Sequence, residues 1–99
     1  MIERISGIMY IKSIKLIFYI PFATSLKDKR KIRLSLVDKT SYKFNVSIAE
    51  VDNHDMHQTL TVGVAIVSGD SNHAQTSIEK IIRFMDEHTE AELIEVLEL

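Results

Sequence analysis

From Ser13 to Ile20 the chain alternates, with Ile14, Leu16, Phe18 and Ile20 on one side and Ser13, Lys15, Ile17 and Tyr19 on the other. A period of two sends successive side chains to opposite faces, so this segment predicts a β-strand with its first set turned to a core. Pro21 follows, has no N–H to give a sheet ladder, and ends the strand. Residues 25–42 predict a helix. Ser25 is placed to cap it, and Asp28, three residues on, favours the positive end of the helix dipole. At helical spacing Ile32, Leu36 and Thr40 share one face, while Lys27, Lys31 and Asp38 lie roughly opposite. Leu34 falls on that outer side, where an exposed leucine beside basic side chains marks a contact surface.

Alternation returns over Phe44–Val51 and again over Thr59–Ser68, where Leu60, Val62, Val64 and Ile66 oppose Thr61, Gly63, Ala65 and Val67. Between these two strands Asp52-Asn53-His54-Asp55 is turn chemistry, and so short a connection implies an antiparallel hairpin. Ser68-Gly69-Asp70-Ser71-Asn72 then breaks the pattern and caps a second helix, in which Ala74, Ile78, Ile81, Ile82 and Met85 recur at helical spacing. That stripe reads as core. Glu92–Leu99 closes the chain as a fourth strand. The order β-α-β-β-α-β predicts an α+β ferredoxin-like sandwich, a four-stranded antiparallel sheet with two helices on one face. The other face is left bare, and its expected members, Ile17, Tyr19, Ala49, Val51, Ala65 and Val67, are small or apolar. Such a face calls for cover by a partner, here expected to be a homodimer or higher homo-oligomer.

Ninety-nine residues make one domain with an adequate core, at an ordinary 45% hydrophobic and 26% charged content. No cysteine is present. Disulfides and thiolate metal sites are thereby excluded, and a reducing cytoplasm is the expected location. Lys12 and Lys15 interrupt the apolar N-terminal stretch, and no small-residue cleavage site follows, so a signal peptide is not expected. Nor does any run reach the ~18 apolar residues of a membrane span, and no membrane partner is expected. The net charge of −2 conceals a division. Residues 1–50 carry ten Lys/Arg against four Asp/Glu, and residues 51–99 carry two against ten. Either a basic region faces phosphates or the two halves interleave into a mixed, solvated surface.

With the elements placed, several blocks resemble the YlxP-like family of small bacterial proteins. They are Ile20-Pro21 with Ser25-Leu26-Lys27-Asp28-Lys29-Arg30, Phe44-Asn45-Val46-Ser47-Ile48-Ala49-Glu50-Val51-Asp52, Asp55 and Gln58, Gly63-Val64-Ala65-Ile66-Val67-Ser68, and Arg83-Phe84. The resemblance implies a ferredoxin-like fold over residues 9–99 and no established activity. It also implies a gene neighbourhood of translation initiation and ribosome maturation, hence an accessory role near ribosomal RNA or a ribosomal particle. Where relatives usually read Asp-His-Gln-Asp-Leu-Trp-Gln, this chain has Asp52-Asn53-His54-Asp55-Met56-His57-Gln58, and the usual tryptophan is His57. Residues 1–8 precede the usual start and are expected to be an N-terminal extension, with Met9 the initiator.

The candidate chemistry is concentrated in residues 27–43, which hold seven basic and two acidic residues. Lys27, Lys29, Arg30, Lys31 and Arg33 are the expected RNA contacts, with Lys39 and Lys43 further along, beside the backbone amides of a helix start. The strands lack the paired exposed aromatics on which RNA-recognition sheets stack bases, so phosphate or shape, rather than sequence, would be recognised. DNA is not an expected partner. An ordinary solvated helix face is the competing reading. Asp52, His54, Asp55 and His57 have the residue types of a metal site, but their spacing matches no closed one, and no metal or cofactor is expected. Glu50, Asp52 and Asp55 could form a carboxylate cluster. With no Gly-rich phosphate loop and no nucleophile–base set, no catalytic residue and no enzyme activity are expected. His73 and His88, at the two ends of the second helix, read as capping or surface residues. Two functions therefore stand: a non-enzymatic accessory protein contacting RNA phosphates, or a homo-oligomeric interaction module without RNA affinity.

Overall fold

The first strand is longer than its alternation suggested. In the computed structural model, which describes residues 8–99, β1 runs Tyr10–Tyr19. The remaining elements are α1 (Leu26–Lys43), β2 (Ser47–Asp52), β3 (Thr59–Ser68), α2 (Ser71–Glu87) and β4 (Glu92–Glu98). Residues 1–7, and with them all but the last residue of the expected N-terminal extension, lie outside the described residues. The strands form one sheet in the order β2-β3-β1-β4, antiparallel throughout. This is the α+β ferredoxin-like arrangement that the element order predicted, with both helices on one face.

The core is made by the residues whose periodicity announced it. Ile14, Leu16, Phe18 and Ile20 from the first strand and its end meet Leu60, Val62, Val64 and Ile66 of β3. Ala74, Ile78, Ile81 and Met85 of α2 cover them, and Leu36 is the apolar anchor of α1. Each fully buried large side chain contributes about 1.5–3 kcal/mol. The two helices differ in what holds them down. The stripe on α2 is continuous, and Asp70 caps it by accepting from the N–H groups of Asn72 and His73 at 2.8 and 3.1 Å. The inner face of α1 offers little beyond half-buried Ile32, Leu36 and Thr40, and the Thr40 hydroxyl donates back to the Leu36 carbonyl at 2.7 Å. Such a face needs another attachment, and polar groups supply it.

Two boundaries depart from the sequence pattern. The segment Phe44–Val46, expected to open the second strand, belongs to the connection instead. The Phe44 N–H donates to the Thr40 carbonyl at 2.9 Å and so closes α1, while its ring meets Phe84 edge-on at 5.4 Å. Phe44 and Val46 do turn toward the core, so alternation there reports burial without a ladder. The β2–β3 register also shifts between Glu50 and Asp52, which leaves Val51 as the extra residue of a bulge. Val51 lies over Gly63. A Cβ built on Gly63 would stand 2.8 Å from Val51 Cγ1, so glycine is what lets the bulge close down on β3.

Candidate functional site: the mouth of helix α1

Ser25 caps α1 as expected, its hydroxyl accepting from the Asp28 N–H at 3.1 Å. The Asp28 carboxylate turns back to accept from the Thr24 N–H and hydroxyl at 2.9 and 3.0 Å. These hydrogen bonds, the backbone one first, hold its carboxyl below the ordinary value. Asp28 is therefore committed to the cap. It offers nothing to the lysines beyond a minor electrostatic contribution from Lys31.

The first two turns of α1 form one wall of a cleft of about 510 Å³ lined by Leu26, Lys27, Lys29, Arg30, Arg33, Glu50 and His54. Glu50 arrives from β2, and His54 from the turn that follows it. The five residues expected to contact RNA do not share one environment. Lys27, Arg30 and Lys31 are exposed, and among the described residues none has a carboxylate within 4.0 Å. Arg33 is half-buried and reaches Glu50 Oε1 at 3.3 Å. Lys39 and Lys43 are exposed further along the helix.

Lys29 is the correction. It is only 3% exposed, and its ammonium sits among four oxygens. These are the carbonyls of Asn53, His54 and Thr59 at 2.9, 3.1 and 3.3 Å, and Glu50 Oε2 at 2.8 Å. An ammonium has three protons. The three carbonyls take them, and Glu50 Oε2, buried and without a hydrogen bond of its own, is held by charge. The side chain that the sequence offered as a phosphate ligand is thus enclosed by its own protein. It points inward because it lies seven residues before Leu36, about 20° from it around the helix. Glu50, 92% buried at the side chain by its 8% exposure, also has His54 Nδ1 at 3.7 Å from Oε1.

The result is a latch. Asn53 adopts a left-handed backbone conformation (φ 55°), which asparagine tolerates, and its carbonyl accepts from the Met56 N–H at 3.0 Å as well as from Lys29. Its side-chain oxygen accepts from the Thr61 hydroxyl at 2.6 Å. From the other side Ile20 N–H donates to the Gln58 carbonyl at 2.9 Å, and Gln58 Nε2 donates to the Pro21 carbonyl at 3.1 Å. The β2–β3 turn is thereby pinned beside the start of α1, with Lys27 and Arg30 on the rim of the cleft.

The turn residues with metal-ligand chemistry are not brought together. Asp52 Oδ1 accepts from the Asn53 N–H at 2.7 Å, His54 faces Glu50, and Asp55 and His57 are exposed. Among the described residues no group of three or more His, Asp or Glu side chains is placed to hold a metal ion. Nor does Glu50 stand with Asp52 and Asp55 as a carboxylate cluster, since it is turned under α1. His88 caps the end of α2, its Nδ1 2.8 Å from the Phe84 carbonyl and its ring stacked on Phe84 at 3.9 Å. Sequence reasoning missed Glu50 and His54 as members of the α1 site. The signal available was the inward position of Lys29, which demands a buried counter-charge.

Fold and site together define a small ferredoxin-like α+β domain with an internally neutralised, externally basic helix mouth. The chain belongs to the family described as "Protein of unknown function (DUF503)", which matches residues 11–97. It is 33% identical over 70 residues to the "Uncharacterized protein YlxP" of Bacillus subtilis (strain 168), covering 71% of this chain and 76% of that protein. No helix among the described residues is long and apolar enough to cross a membrane.

Proposed function

We propose that the protein is a non-enzymatic accessory factor that binds RNA through its phosphate backbone at the mouth of α1. The observation that carries this reading is the set Lys27, Arg30 and Lys31, exposed and unpaired among the described residues beside a helix start. Cations left without internal partners release counterions when they meet phosphates, and the free N–H groups of a helix start favour the same anions. Glu50 sits in the same cleft but is already matched by Lys29 and Arg33, so it does not cancel the outer charge. The family's gene neighbourhood makes ribosomal RNA, in translation or ribosome maturation, the target to try first.

The test is binding of a labelled ribosomal RNA fragment, followed by fluorescence anisotropy across a salt series. Affinity should fall steeply with salt, and Lys27→Glu with Lys31→Glu should abolish binding. Each lost phosphate contact should lower the salt slope by about one. Absence of binding even at low salt would reject the reading and leave the homo-oligomeric module in its place.

A further inference from the structure

The cations at the rim of the α1 cleft need no cavity to meet a phosphate, since Lys27, Arg30 and Lys31 stand in solvent. Behind them lies a space of about 510 Å³. That is within the roughly 300–1,000 Å³ of sites that take a whole small molecule. Its inner wall differs in chemistry from the rim. Leu26, 48% exposed, is apolar. Arg33 of α1 and His54 of the β2–β3 turn approach the same oxygen, Glu50 Oε1, at 3.3 and 3.7 Å. Both keep free surface, with 31% and 63% of their side chains exposed. Leu26, Arg30 and Arg33 follow at spacings of four and three residues, so they line one strip of α1 about 10 Å long. Because Glu50 answers the charge of Arg33, the guanidinium offers a flat face more than a free charge. The same buried carboxylate repels an anion from the floor of the cleft, but not a neutral ring. Phosphate is thus kept to the rim. The space behind it suits a flat, uncharged aromatic group of the kind that stacks on guanidinium and imidazole planes.

We propose that the cleft takes one unpaired nucleotide of an RNA strand, a reading that rests on the phosphate contact proposed above. The base lies against Leu26, Arg33 and His54, and its phosphate meets Lys27 and Arg30 at the rim. A base held in a duplex cannot turn into such a space, so the strand recognised is single-stranded at this point. Every base has a π-face, and recognition by stacking is therefore tolerant of sequence. This separates the mouth of α1 from a purely electrostatic surface, which would favour the duplex for its higher charge density.

The experiment is an anisotropy titration of the intact chain with a short labelled single strand and with the same strand annealed to its complement. The single strand should bind about tenfold tighter or more. Arg33→Lys keeps the charge beside Glu50 and removes the plane. It should weaken the single strand about tenfold, leave the salt slope unchanged and leave the duplex as it was. His54→Ala should act in the same direction, with urea unfolding midpoints confirming that both variants are folded. A free nucleoside monophosphate should bind far more weakly than the strand, because it lacks the neighbouring phosphates. Duplex binding as tight as that of the single strand would overturn this proposal while keeping the phosphate contact. So would a single strand indifferent to both variants, or a free nucleotide that binds as tightly as the strand. Failure of both RNAs to bind at low salt would reject the phosphate contact, and this proposal with it.

Discussion

Lys29 and Glu50 are worth more to the architecture as a pair than their net energy implies. A buried ion pair roughly balances Coulombic gain against lost hydration, so its presence adds little by itself, whereas deleting one member strands the other. Here the stranded group would be Glu50, whose Oε2 has no other support. Lys29→Ala should therefore destabilise the fold by about 3–5 kcal/mol. Lys29→Met combined with Glu50→Leu should recover the part owed to the stranded carboxylate but not the part owed to the carbonyls that accepted from Lys29, both read from urea unfolding midpoints. The same residue separates structure from function. Lys29→Ala should cost stability while the folded fraction keeps its RNA affinity, the converse of Lys27→Glu with Lys31→Glu. The inward position of Lys29 was legible in the spacing to Leu36, but the closeness of Lys27, Lys29, Arg30 and Lys31 in sequence drew them into one patch. A helix distributes adjacent residues around its axis, and only a wheel separates the buried one from the rest.

At the scale of elements, the strands were legible because β1 and β3 bury one face each, so core and open positions largely alternate, although Thr61 of the open face is buried where its hydroxyl meets Asn53 of the turn. The start of β2 was not, since Phe44 and Val46 alternate in burial while their backbone belongs to the connection that follows α1. The bulge at Val51 was also hidden, because an extra residue leaves no mark on composition. The cap of α1 was readable to the residue in Ser25 and Asp28, and it carries a pH dependence with a definite sign. The folded Asp28 carboxyl titrates below its ordinary value. The unfolded chain therefore takes up the proton first as pH falls. The stabilisation is complete above the ordinary carboxylate value and is lost as the pH drops through the depressed, folded one. The melting temperature of the wild-type chain should decline across that acid window relative to Asp28→Asn, which cannot titrate there, and the two should differ by a constant amount at neutral pH. A difference that stayed flat through the acid window would remove Asp28 from the account of the cap.

For the whole molecule, the sheet separates two surfaces of different character. α1 packs over β2 and β3 on one side, while Ala65, Leu97 and Leu99 belong to the other. The charge division of the sequence survives in space for the same reason. The strand order puts β2, beneath basic α1, at one edge and acidic β4 at the other. Lys27→Glu with Lys31→Glu should therefore act on the α1 side alone, abolishing RNA binding in anisotropy titrations while the unfolding free energy stays within about 0.5 kcal/mol of wild type.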